Sequence, residues 1–327
     1  MTLRHRHEVI YVERRVGMRR PVGTMEAMRR SALVLFVAAL TAPIVLAQPA
    51  MAAKQAQVVR MSRTSAWSPP SPDPTGIAYN PKTKFFMISD SEVDEDGLWH
   101  HKNLFIAARK GGLVKTRSVT KATIEPEGIA WDARAKALLV CDDDLDAVFR
   151  FRPGRDGKIG TRDDKVAKLL NTRRFGSYDP EGMDWRAKNS MIILSDATDT
   201  FIYKIRRGRD LRWGTRDDKV TKFGTGKFGF NDPEGVRFDA VTGHLFMVDS
   251  GKKFILETTL AGKIVRKIGT PFCAAGCHLS DLVFAPGTDG SRRRLYITDR
   301  GRDNDTFPNP SDYNDGKLYQ VRFVTVP

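Results

Sequence analysis

Carboxylates recur along this chain at spacings that could build a cation site. Glu127, Glu181 and Glu234 each stand between a proline and a glycine, in Pro126-Glu127-Gly128, Pro180-Glu181-Gly182 and Pro233-Glu234-Gly235. Fourteen residues after each glycine an aspartate closes an apolar run: Asp142, Asp196 and Asp249. Calcium takes about six to eight oxygen ligands in relaxed geometry, so these six acids are the candidate metal ligands, with calcium or another divalent cation as the cofactor. The same acids could instead accept backbone N–H groups in the turns they flank. Two further copies carry the phrase without the Glu. Thr75 takes its place in the first, which ends at Asp90, and Ser280 in the last, which ends at Asp299.

Other candidate chemistry is sparse. His278 enters the turn of the last copy and is a weak candidate for a general base. The remaining histidines have no metal-ligand spacing, and no Gly-x-Ser-x-Gly elbow is present. Two similar segments, Gly154 to Val166 and Gly208 to Val220, place Asp156, Asp163, Asp210 and Asp217 in Gly-rich loops. They read as structural hairpins or as peripheral ion sites. The acidic stretch Glu92 to Gly97 begins like an EF-hand loop, but Asn103 stands where that loop needs its closing Glu.

The elements that must position these acids follow from the repeat. Each copy adds an aromatic three residues after the glycine position (Tyr79, Trp131, Trp185, Phe238, Phe284), and copies recur at about 50 residues, a period that points to a propeller or solenoid. Within a copy the apolar pattern is that of short strands bounded by turn residues. The second copy predicts strands at Gly128–Trp131, Ala137–Cys141, Val148–Phe151 and Lys165–Leu170, and the third repeats them at Gly182–Trp185, Met191–Ser195, Phe201–Ile205 and Lys219–Phe223. Four antiparallel strands per repeat describe a propeller blade. The last copy has three strands, and Gln57–Arg63 offers the missing one. The expected fold is an all-β, five-bladed β-propeller closed by an N-terminal strand. A six-bladed alternative needs a blade from residues 53–70, which is too short. In this geometry both sets of acids crowd one mouth of the central channel, and the aromatic is expected to wedge between blades.

Residues 28–52 read as a secretory signal: a basic start at Arg29-Arg30, an apolar stretch from Ser31 to Leu46, and a small-residue cleavage site at Ala50-Met51-Ala52. Residues 1–27 are an Arg-rich extension with no apolar period, so Met18, Met25 and Met28 are alternative translation starts. Residues 53–327 form the single propeller domain, secreted or in the periplasm or cell envelope. Removing residues 1–52 lowers the 54 basic and 39 acidic residues to 46 and 36, a net charge of about +10. The lysines are spread over outer strands, which reads as a solvated basic face, with no nucleic acid among the expected partners. No membrane span is expected after signal cleavage, and the default is a monomer. Cys273 and Cys277 are spaced to close a small disulfide in an oxidising compartment, while Cys141 lies in an apolar run.

The phrase Pro126-Glu127-Gly128-Ile129-Ala130-Trp131, with its strand ending in an acid, resembles the SdiA-regulated (YjiK-like) propellers and, more distantly, the NHL-repeat and SMP-30/gluconolactonase-like propellers. The first resemblance implies five blades, export and bound calcium. The second implies a metal at the channel mouth, held by the Glu of the first-strand turn and assisting lactone or ester hydrolysis. Glu127, Glu181 and Glu234 are the positions that carry over. The expected function is an exported calcium-binding propeller that binds a small molecule, polymer or protein at its acidic mouth. The alternative is a metal-dependent hydrolase of a lactone, ester or phosphoester.

Overall fold

The computed structural model describes residues 53–95, 100–273, 277–301 and 314–326. The signal segment 28–52, the extension before it and Asp96-Gly97 of the acidic loop lie outside the described residues. The closing strand comes first, β1 (Lys54–Arg63). The first repeat gives β2 (Pro74–Asn80), β3 (Phe85–Asp90), β4 (Leu104–Ala108) and β5 (Leu113–Arg117), and the second gives β6 (Ile129–Asp132), β7 (Ala137–Asp142), β8 (Ala147–Arg152) and β9 (Lys165–Asn171). The third supplies β10 (Met183–Arg186), β11 (Met191–Asp196), β12 (Phe201–Arg206) and β13 (Lys219–Gly224). The fourth supplies β14 (Pro233–Phe238), β15 (His244–Asp249), β16 (Phe254–Thr259) and β17 (Ile264–Gly269). The last has three strands, β18 (Leu279–Ala285), β19 (Arg294–Asp299) and β20 (Lys317–Thr325). In the second and third repeats the strand limits differ from the sequence expectation by a single residue at most.

The sheet topology is that of a β-propeller. Three sheets are four-stranded antiparallel meanders, and an eight-stranded sheet runs β14-β15-β16-β17-β1-β20-β19-β18. That larger sheet divides where β1 meets β17 in a short parallel pairing, Lys54 with Ile268 and Gln55 with Gly269. On its other side β1 pairs antiparallel with β20 along its length, from Lys54 opposite Thr325 to Arg63 opposite Lys317. The N-terminal strand therefore completes the last group of four and removes its free edge.

The innermost strands form a closed ring, with β2 against β6, β6 against β10, β10 against β14, β14 against β18, and β18 back against β2. A core cluster fills each interface between neighbouring groups. Ala78, Met87 and Leu104 of the first pack with Ile129, Leu138 and Phe151 of the second, and Ile77, Phe86 and Phe105 close the ring against Tyr296 and Leu318. One repeat aromatic packs at the edge of each cluster, as the wedge expectation requires. The two similar hairpins act as straps to the preceding group. Ile159 is buried beside Leu104 of the first repeat, and Trp213 packs in the core cluster that holds Leu139 and Leu169 of the second.

Near the channel axis the packing turns polar. Arg237, third residue after Glu234 on β14, is buried and touches every other innermost strand. Its Nε donates to the Leu282 carbonyl (2.7 Å), Nη1 to Asp184 (2.8 Å), and Nη2 to the Ile77 carbonyl (2.7 Å), the Ile129 carbonyl (3.4 Å) and Asp281 (3.1 Å). Asp281 stands where the other repeats have glycine, and its second role is to accept the Ile77 N–H at 2.8 Å. The fifth copy of the phrase is thus adapted to hold a cation at the axis.

Removing one partner of a buried pair strands the others. Arg237→Met leaves two buried carboxylates without their counter-charge and is expected to cost about 3–5 kcal/mol in urea unfolding. Adding Asp184→Asn and Asp281→Asn to that variant should recover part of the loss, because the uncompensated charges are then gone.

Candidate functional site

The Pro-Glu-Gly turn is held by its neighbour. A Cβ built on Gly128 would lie 2.6 Å from the Glu181 carbonyl, and one on Gly182 would lie 2.3 Å from the Glu234 carbonyl. Only glycine allows the innermost strands to start this close together. The Gly128 N–H uses that approach to donate to the Glu181 carbonyl at 2.6 Å. Residues near the end of each second strand reach the same carbonyls, Ser89 Oγ to Glu127 at 2.7 Å and Cys141 Sγ to Glu181 at 3.3 Å. Cys141 is therefore a buried free thiol doing the work of a serine. With its backbone fixed in this way, each Glu stands at the strand start on the channel mouth.

The strand-end aspartates lie on that same side, since Pro74 pairs with Asp90, Pro233 with Asp249 and Leu279 with Asp299. Their oxygens are engaged in the turns. Asp249 accepts the N–H groups of Asn231 (2.8 Å), Asp232 (2.9 Å) and Gly251 (3.0 Å), and Asp196 accepts those of Tyr178 (3.0 Å), Asp179 (3.3 Å) and Asp199 (2.8 Å). Asp142 accepts the Leu145 N–H at 2.6 Å. Asp90 accepts from Ser71 and the Asp73 N–H, and burial pushes its pKa up to about 7. The His278 N–H donates to Asp299 at 2.9 Å, which places this residue at the mouth on the last repeat.

Two of the expected acids lie in a tighter constellation with residues the sequence reading did not select. One carboxylate oxygen from each of Glu125, Glu127 and Asp143 lies within 4.8 Å of the other two, and the same holds for Asp143, Asp179 and Glu181. Asp143 is common to both groups and so joins the second and third repeats. Asp143 Oδ1 and Glu181 Oε2 are buried with no hydrogen-bond partner among the described residues. Among those residues, Asp142, Asp196, Asp249 and Glu234 belong to neither group, and nor do the hairpin aspartates. In the hairpins Asp163 accepts the Asp156 N–H (3.2 Å) and Asp217 the Asp210 N–H (3.1 Å), so these carboxylates close their own loops.

Electrostatics mark the same place. Burial, then the nearby Glu181 and Asp143, hold the Glu127 carboxyl well above the usual carboxylate range. Burial and Glu234 do the same for Glu181, and burial with Asp179 and Asp142 pushes Asp143 up to about 7. Among the described residues an opposing charge comes from Arg300, immediately after β19, whose Nη2 lies 3.2 Å from Glu234 Oε1. Burial would lower its pKa, but Glu234, Asp73, Glu181 and Glu127 outweigh this and raise it well above the ordinary value.

A signal for the missed residues exists in the repeat. The position before the proline reads Asp73, Glu125, Asp179 and Asp232, with His278 in the last copy. The position after the strand-end acid reads Ser91, Asp143, Ala197, Ser250 and Arg300. The first is acidic in four copies, and the second carries opposite charges in two of them. The mouth is therefore polarised, with surplus carboxylates on the second and third repeats and a guanidinium on the last. What this arrangement can do is hold a divalent cation on one side and leave Arg300 to meet an anionic group beside it.

No known protein-family model matches the sequence, and no curated protein matches it. Solved structures align with it. The glutaminyl cyclase of Myxococcus xanthus aligns over 84% of this chain and 99% of its own at 15% identity, with a TM-score of 0.53. The PQQ-bound aldose sugar dehydrogenase of Streptomyces coelicolor aligns over 84% and 99% at 12% identity (TM-score 0.47), and streptogramin B lyase over 80% and 87% at 13% identity (TM-score 0.45). At 15% identity the likeness to the glutaminyl cyclase is one of fold alone. Cys273 and Cys277 form a disulfide, with Cα atoms 5.2 Å apart, which agrees with an oxidising environment. Among the described residues, no helix is long and apolar enough to cross a membrane.

The raised carboxylates set the sign of a pH effect. Between the ordinary value of 3.8 and the folded value of about 7, Asp143 binds more proton folded than unfolded, and Glu127 and Glu181 shift the same way. Stability of the protein in a chelator should therefore fall as pH rises through that window. Melting temperatures from about pH 5 to about pH 8 should decline, and Asp143→Asn should flatten the decline relative to the parent.

Proposed function

We propose that this protein is an exported, five-bladed propeller of the SdiA-regulated kind that holds a divalent cation at its acidic mouth and uses it to bind an oxygen-rich ligand. The observation that carries this reading is Asp143, a carboxylate shared by two three-acid groups, with Oδ1 buried and without a hydrogen-bond partner among the described residues. Glu125, Glu127, Asp143, Asp179 and Glu181 would hold the ion. Carboxylate-only donors suit a hard cation, and calcium fits best because it tolerates irregular geometry. Export is supported by the signal-like segment 28–52 and by the Cys273–Cys277 disulfide.

In this reading the chain's own residues divide the work. The five acids fix the cation, Arg300 neutralises Glu234 and presents positive charge to an anionic part of the ligand, and the strand-end aspartates stiffen the turns. A second reading, hydrolysis of a lactone, ester or phosphoester, is favoured by the asymmetry of the mouth. An ion beside a guanidinium is a suitable place to stabilise charge developing on a substrate oxygen, and when bound the ion supplies Lewis acidity there. His278 remains the nearest candidate base from the sequence, at the position that is acidic in the other repeats.

Calorimetric titration of calcium into protein freed of metal tests the reading. Saturable one-site binding is expected, weakened at least about tenfold by Asp143→Asn or Glu181→Gln, each of which removes a charged oxygen donor. Asp249→Asn should leave the affinity within about twofold, because that carboxylate serves backbone N–H groups in its turn. Absence of binding to the parent would sink the cation, and a loss on Asp249→Asn in place of Asp143→Asn would return the site to the strand-end acids. Hydrolysis of a lactone, ester or phosphoester panel that disappears in Asp143→Asn would select the second reading.

A further inference from the structure

The channel is plugged between its two ends. Arg237 and Asp184, bonded across the axis, each lie three residues along the strand from the Glu of their mouth-side turns, and both are buried between the acidic mouth and the far end. Beyond the plug, at the opposite ends of the innermost strands, lies a separate cavity of about 790 Å³. Its walls include all five repeat aromatics, Tyr79, Trp131, Trp185, Phe238 and Phe284. Each is half-buried, so part of the ring packs in a core cluster while the rest faces the cavity. Ring closure thus turns five separate wedges into one aromatic funnel.

The charges around it are mostly positive. Arg186, Lys188, Arg237 and Arg293 line the cavity against Asp184 and Asp239. Two guanidiniums lie over aromatic faces, Arg186 4.7 Å from the Phe238 centroid and Arg293 3.6 Å from that of Phe284. Arg293 also pairs with Asp239 and Arg237 with Asp184, which leaves Arg186 and Lys188 as the surplus. Among the described residues, Arg186 Nε and the adjacent Trp185 Nε1 have no acceptor. A cavity of this size with aromatic walls and a few converging donors is the ordinary form of a small-molecule site.

We propose that this cavity is a second ligand site, independent of the cation, for a ring-bearing organic carboxylate. The ring stacks on Trp131 or Trp185, and the carboxylate meets Arg186. Both a sugar acid and an aromatic acid offer a ring face and a carboxylate. The mostly basic rim disfavours cations, and a neutral ring offers the guanidinium only single uncharged acceptors, whereas a carboxylate matches its fork geometry and charge.

The test is titration of the full chain, in chelator so that the acidic mouth is silent, with digalacturonate, 4-hydroxybenzoate and neutral cellobiose, followed by tryptophan fluorescence and calorimetry. One of the two acids is expected to bind at least about tenfold more tightly than cellobiose, and which one does so identifies the ring as saccharide or aromatic. Arg186→Gln and Trp131→Leu, each checked for a retained cooperative melting transition above the assay temperature, should separately weaken that binding at least about fivefold. Binding of cellobiose equal to that of the acids, no binding by either acid, or acid binding indifferent to both substitutions would each overturn the proposal. Because ligand binding is measured in chelator, its outcome is separable from that of the calcium titration.

Discussion

One guanidinium organises the centre of this protein. Arg237 stands on a single innermost strand and donates to groups on the other four, so it measures the width of the channel from the inside. A buried arginine is tolerated only with its charge matched and its donors filled. Asp184 and Asp281 supply the charge, and backbone carbonyls take the remaining donors. Around this hub the glycines of the repeated phrase let neighbouring strands approach until one backbone touches the next. The two constraints together fix where each Pro-Glu-Gly turn ends up. They also set the acidic mouth and the aromatic cavity on opposite sides of the buried Arg237 hub.

The acidic mouth is a response to crowding. Strand starts and strand ends converge there, and the repeat places a carboxylate at both. Most of the strand-end aspartates are absorbed by turn N–H groups, which makes them cheap to keep. The Glu ring is not absorbed in this way. It is offset on one side by Arg300, and on the other the surplus gathers around Asp143, where burial and mutual repulsion raise the carboxyl pKa values. A cation is the most direct physical means of relieving that surplus near neutral pH.

Much of the fold was legible in the sequence for a simple reason. A strand pattern repeated at about 50 residues admits few architectures, and the unpaired Gln57–Arg63 segment asked for the edge that β20 supplies. The acids at the strand starts were legible for the same reason, since they sit in the phrase itself. What escaped were residues flanking the phrase. Asp143 and Arg300 occupy one register position that holds Ser, Asp, Ala, Ser and Arg in turn, and variability there looks like loop tolerance until ring closure sets the copies side by side. Asp281 takes the place of the repeat's glycine, and nothing near it in sequence marks its role, because its partner Arg237 is 44 residues away. The aromatics were expected to be wedges, and they are. Their shared cavity depends on all five ends meeting, which no single repeat encodes.

The most direct test of the cation is diffraction from crystals grown with calcium, using anomalous scattering to locate the ion. The account predicts a peak at the acidic mouth with oxygens of Asp143 and at least one of Glu127 and Glu181 at about 2.3–2.6 Å. A clean map with no peak, and Asp143 engaged instead by Arg300 or by water, would contradict it.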